Sequence, residues 1–182
     1  MTQVLTNDTQ PSTQREAVMI KSVDPRDSRA VRNLENVIAW NEMMINQKRP
    51  KEAIEKYTRP DYIQHNPLLV DGPQGIINYF TQVTTERKNA RLVYHRAIAA
   101  GDYVYTHGVF YNFIDDDPDD HGMAVVDIFR MDDEGKAAEH WDVLQLVGDP
   151  KSNVAPSFGP AVFGKPVPAQ NPNGMVEGTD ES

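Results

Sequence analysis

Gly122-Met-Ala-Val-Val-Asp-Ile-Phe-Arg130, Asp132-Asp-Glu-Gly135 and Glu139-His-Trp-Asp-Val-Leu-Gln145 read together as one β-hairpin. The first arm is rich in Val, Ile and Phe, and the second carries Trp, Val and Leu, residue types that strands favour. Gly135 supplies the positive φ that the turn between them needs. One carboxylate, Asp127, stands inside the otherwise apolar first arm. A buried carboxylate is costly unless it is paired, so Asp127 is either a structural anion or an acid/base group in an apolar pocket. Alternation puts Val125, Asp127 and Phe129 on one face. An even turn sets them against Ala138, His140, Asp142 and Leu144; a one-residue bulge at Gly135 sets them against Glu139, Trp141 and Val143. Both registers stay open at this level.

Upstream, the period lengthens. Val31, Leu34, Val37, Ile38, Met44 and Ile45 approximate one helical stripe, with Asp27 or Ser28 placed to cap its start. Trp40, Tyr57 and the pair Met43-Met44 read as core. Pro50 opens a short helix, Lys51 to Tyr57, because proline is tolerated in a first turn. Arg59-Pro-Asp-Tyr-Ile-Gln-His-Asn-Pro67 reads as an irregular loop broken by two prolines, concentrating Tyr62, His65 and Asn66. A third helix spans about Gln74 to Arg87. Two strands follow, Asn89 to Ala99 and Tyr103 to Phe113, joined at Ala100-Gly101, a turn that sets His107 opposite Tyr94. Asp115-Asp-Asp-Pro-Asp-Asp120 is not a calcium loop: position six is Asp120 instead of Gly, and position twelve is Val126 instead of Glu. It reads as a solvated loop.

Three helices followed by at least four antiparallel strands argue an α+β domain with helices on one face of a sheet. The domain covers residues 27–148. Residues 1–26 read as a flexible N-terminal arm, and residues 149–182 as a Gly/Pro-rich C-terminal tail.

A formal charge of −9 makes nucleic acid and anionic membrane surfaces unfavourable partners. The absence of cysteine excludes disulfides, zinc-thiolate sites and thiol nucleophiles. No apolar run reaches membrane-spanning length, and the first residues lack the basic and apolar regions of a signal peptide, so a cytoplasmic location is expected. The five histidines form no helical metal pair, so no metal site is expected. His140 reads as a hydrogen-bonded surface or interface residue. No nucleophile elbow, phosphate loop or dinucleotide fingerprint is present, so no cofactor is expected.

Tyr62-Ile-Gln-His-Asn-Pro67, Asp71-Gly with Gly75, Ile98-Ala-Ala-Gly-Asp102 with His107, Val126-Asp-Ile-Phe-Arg130 and Glu139-His-Trp-Asp142 together resemble the SnoaL-like polyketide cyclase group of the nuclear transport factor 2-like superfamily. The resemblance covers roughly residues 30–147. It implies a conical α+β barrel, with the N-terminal helices packed in a curved antiparallel sheet around a deep pocket. It also implies a homodimer formed through the sheet. The implied chemistry is an aldol condensation or cyclisation without cofactor, acting on an apolar or carbonyl-containing small molecule. By the same resemblance Asp127 is the acid/base group, His107 lines the pocket, and Tyr62, His65 and Asn66 stand at its mouth. His107 or His65 then donates to the developing enolate. Tyr105, Phe129, Trp141 and Asp142 complete the expected ligand contacts. A non-catalytic binding or dimerisation module of the same fold is the alternative.

Overall fold

The computed structural model describes residues 19–117 and 119–147. The reading of residues 149–182 as a tail lies outside the described residues, as does most of the expected N-terminal arm. The end of that arm is ordered into strand β1, Ile20–Ser22, which pairs in parallel with a later strand, β3 (Arg91–Ala100).

Helix α1, Ser28–Asn41, starts where Asp27 caps it: Ala30 N–H donates to Asp27 Oδ1 at 3.0 Å. Replacing Asp27 by Ala is expected to cost about 1 kcal/mol, the usual value of a lost N-cap. A chemical-denaturation midpoint checks it, and an unchanged midpoint would show the cap to be idle. The helix runs into a π-helical turn, Glu42–Asn46, that keeps Met44 and Ile45 buried behind Trp40 and Asn41. Helix α2, Pro50–Tyr57, has proline in its first turn as expected. Helix α3 spans Pro73–Glu86 and buries Ile76, Phe80 and Val83.

Between α2 and α3 the chain departs from the expected irregular loop. Thr58–Gln64 forms strand β2, parallel to β6 (Ala137–Leu146) and irregular between Thr58 and Ile63. It lies at the edge of the sheet, where Pro60 is tolerated because its missing N–H costs no central ladder bond. With β4 (Tyr103–Tyr111) and β5 (Met123–Met131), the described strands form one sheet in the order β1-β3-β4-β5-β6-β2. The α+β class is as expected. The sheet itself is mixed, antiparallel in its four central strands and parallel at both edges, and it is not closed.

The helices cover one face of this sheet. Leu34, Ile45, Ile54, Ile76, Val104, Val125 and Phe129 are all within 2 % of full burial. Helix α1 also ties down both central hairpins. Asn33 Nδ2 donates to Gly101 O at 3.0 Å in the β3–β4 turn. Asn36 Nδ2 donates to Gly135 O at 2.8 Å in the β5–β6 turn. Gly135 has φ +80°, and a Cβ there would lie 2.7 Å from both Arg32 Nε and Asn36 Nδ2. Turn conformation and helix contact both require the glycine.

The β3–β4 register differs from expectation. The two-residue turn is Gly101-Asp102, and an irregularity at His95 shifts the ladder between Tyr94 and Arg96. His107 therefore pairs with Arg96, while Tyr94 faces Gly108. The acidic loop does more than meet solvent: Asp116 accepts from the Lys88 and Asn89 N–H groups, and Asp120 from those of Asn112 and Gly122.

Candidate active site

Of the two hairpin registers, the structure adopts the even one. Asp127 pairs with Asp142, Phe129 with His140 and Val125 with Leu144. The extra residue falls further down, where Arg130 pairs with Glu139 and Met131 with Ala137. On the other side Asp127 pairs with Thr106. One row across three strands thus holds Thr106, Asp127 and Asp142 on the face that the helices cover, with Phe129 and His140 in the next row.

Asp127 is 5 % exposed and His140 8 %. Thr106 Oγ1 donates to Asp127 Oδ2 at 2.8 Å, and His140 Nε2 lies 3.1 Å from Asp127 Oδ1. The tautomer of His140 follows from its other neighbour. The Asn66 backbone N–H can only donate, so the Gln64 atom it meets at 2.9 Å is the carbonyl oxygen. That same Oε1 lies 3.1 Å from His140 Nδ1, which must therefore carry a hydrogen. His140 then turns Nε2 toward Asp127 Oδ1, and one proton between them serves either as imidazolium with carboxylate or as imidazole with carboxylic acid. Two further contacts fix the frame: Asn66 Nδ2 donates to Asp142 Oδ2 at 2.8 Å, and Asp71 accepts from the backbone N–H groups of Gln64 and Gly72, each at 2.7 Å. These backbone bonds hold the Asp71 carboxyl below its ordinary range.

Gln64 Nε2 donates to the Tyr62 oxygen at 3.1 Å, which leaves the phenolic proton for another acceptor. Burial, and then the negative fields of Asp127, Asp142 and Asp71, push the Tyr62 phenol well above its ordinary value. Tyr62 is therefore a neutral donor at physiological pH.

These groups border a cavity of about 600 Å³ including its open mouth. Asn41, Tyr62, Gln64, Asn66, Asp127, His140 and Asp142 form its polar part. The apolar part is largely aromatic, with Trp40, Phe80, Phe110, Phe113 and Phe129 among the walls. Among the described residues, no Lys or Arg lines it.

The expected site residues divide. Asp127, Tyr62, Asn66, Phe129 and Asp142 meet at the cavity. His107, His65, Tyr105 and Trp141 do not line it. His107 and Tyr105 alternate with the inward Thr106 and so lie on the outer face of the sheet. Arg96 Nη1 meets His107 Nδ1 there at 2.9 Å, and burial followed by the Arg96 charge lowers the His107 pKa. Trp141 alternates with His140 and Asp142 in the same way; its ring stacks on that of His65 at 4.5 Å, and His65 Nε2 lies 3.5 Å from Glu139. His140, expected at a surface or interface, is instead buried at the centre of the site. Strand alternation beside Asp142 was the signal that could have found it.

The fold and site define an α+β protein with an acid–base pair buried against an aromatic pocket. The chain belongs to the SnoaL-like family: the SnoaL-like domain matches residues 37–140. Solved structures agree in fold. A proposed polyketide cyclase from Bacillus cereus ATCC 10987 superposes with a TM-score of 0.59 at 17 % identity, covering 72 % of this chain and 89 % of that one. A proposed SnoaL-like polyketide cyclase from Jannaschia sp. CCS1 gives 0.54 at 16 % identity, over 67 % of this chain and 91 % of its own. An NTF2-like protein of unknown function from Mesorhizobium loti gives 0.54 at 15 % identity, over 70 % and 99 %. Identities this low show the fold alone. No curated protein matches the chain in sequence. No helix among the described residues is long and apolar enough to cross a membrane.

Proposed function

We propose that this chain is a small-molecule enzyme that moves protons at the carbon next to a carbonyl, without a cofactor. The observation that carries the reading is the Asp127–His140 pair, at 3.1 Å and nearly fully buried beside an aromatic cavity. Asp127 takes the α-proton as the C–H bond breaks. The Tyr62 phenol donates to the oxygen on which enolate charge develops. With the shared proton on His140 Nε2, Asp127 stands as the carboxylate base, and His140, hydrogen-bonded to Gln64 behind it, holds that carboxylate in place. The enolate then adds to a second carbonyl, as in an aldol cyclisation, and Asp127 returns the proton to the alkoxide so formed, or Asp127 returns it to carbon, as in an isomerisation. An apolar dicarbonyl compound fits the aromatic walls. The test is solvent deuterium exchange into the α-position of such compounds, followed by NMR. Exchange above the buffer rate that is lost on His140→Gln supports the reading. Binding without exchange, seen as a raised melting midpoint alone, would make the protein a non-catalytic binder.

We also propose a homodimer through the outer face of the sheet. Ile98, Tyr103, Tyr105, Val126 and Val143 stand on that side between 41 % and 68 % exposed. A row of apolar groups of this kind marks an interaction surface. Sedimentation equilibrium is expected to give twice the chain mass for the wild type and the single chain mass for Val143→Glu. A wild-type monomer would remove the proposal.

A further inference from the structure

We propose that Asp127, His140 and Asp142 form a binding site for a first-row divalent cation of the zinc class. One ligand atom from each lies within 4.8 Å of the others. All three side chains come from adjacent strands, two of them as His140-x-Asp142 on β6 and the third from β5 directly across the ladder. Asp127 Oδ1 and His140 Nε2 are 3.1 Å apart. An ion about 2.1 Å from each would subtend an angle of about 95° between them, within the range of zinc sites that expand beyond four ligands.

Two further observations point to a cation. First, the hydrogen bond from His140 Nδ1 to Gln64 Oε1 turns the Nε2 lone pair toward the carboxylates, which is the orientation of a metal-ligating imidazole. Thr106 holds Asp127 and Asn66 holds Asp142 in the same manner, so every ligand has its own outer partner. Second, two carboxylates share this corner of the cavity, and among the described residues no Lys or Arg lines it to balance them. Imidazole with two carboxylates is a donor set that selects zinc, manganese or iron over softer ions. The remaining coordination positions face the aromatic cavity, where a carbonyl or hydroxyl oxygen of a ligand would complete them.

The ion would sit on the atoms that move the proton in the reading above. It is a second state of the same site, and if that reading holds, zinc inhibits the cofactor-free turnover. The binding itself does not depend on turnover.

The experiment is isothermal titration of zinc chloride into tag-free, metal-stripped full-length protein. One ion per chain is expected. Asp142→Asn and His140→Gln are each expected to weaken binding at least tenfold, while His65→Gln and His107→Gln, on the outer face, leave it unchanged. Asn66→Ala, which removes the partner of Asp142 together with the side-chain acceptor of the Leu68 N–H, is expected to weaken it by about 10–100-fold. Circular dichroism establishes that each variant is folded, and a second pair, Asp127→Asn with Asp142→Asn, covers the case in which His140→Gln is not. No zinc binding by the wild type, or binding that survives the Asp142 and Asp127 substitutions, would overturn the site. Zinc binding in a protein that shows no α-proton exchange would uphold this site and reject the proposed enzyme activity.

Discussion

Asp127→Asn is expected to lower α-proton exchange by about 10²–10⁴-fold, the usual contribution of a positioned acid/base group. The structure gives this variant a clean reading. An Asn in the same place still presents an oxygen to Thr106 Oγ1, which lies 2.8 Å away, and its amide can donate to His140 Nε2, at 3.1 Å. The hydrogen-bond frame survives and only the charge and basicity are lost. The melting midpoint should therefore move little while exchange collapses. Wild-type exchange in this variant would show Asp127 to be a structural anion, and the pocket would then be a binding site alone.

Phe129→Ala is expected to destabilise the fold by about 3–5 kcal/mol, the range for removing a fully buried aromatic side chain. Phe129 is 2 % exposed, packs edge-on to Trp40 with centroids 5.2 Å apart, and lies 4.6 Å from the His140 ring. Its loss opens a hole beneath the acid–base pair as well as in the core. Denaturant unfolding checks the magnitude, and a cost below about 1 kcal/mol would mean that the cavity collapses around the smaller residue.

Much of this fold could be read from periodicity. The three helices fall near their expected positions because their apolar stripes are regular, and Pro50 marks a start that chain geometry enforces. Strand β2 was hidden by Pro60, since proline argues against a strand wherever a ladder bond is needed and only the edge position removes the objection. The β5–β6 register stayed ambiguous because the local pattern fits both an even turn and a one-residue bulge at Gly135. The structure leaves residues 132–136 between Met131 and Ala137 and places the extra residue at Ala138, which restores the even-numbered partners of Asp127. At the site, Asp127 was legible as a charged residue in an apolar arm. Trp141 and Asp142 were both expected at the ligand, yet neighbours on a strand point to opposite faces. The same alternation separates Tyr105 and His107 from Thr106. The shift at His95 changes which β3 residue faces His107, and nothing in the local sequence marks it.

Helix α1 holds the turn glycines near its start through Asn33 and Asn36, and supplies Trp40 and Asn41 to the cavity at its end. Those two hydrogen bonds bridge 68 and 99 residues of chain. A helix of this length is a stiff rod of about 20 Å. The hairpin tips and the pocket wall therefore belong to one mechanical unit, and a change in a turn that never touches ligand can tilt Trp40 against Phe129. The shape of the cavity is in this sense written partly at the opposite end of the sheet, where substitutions retune it without entering it.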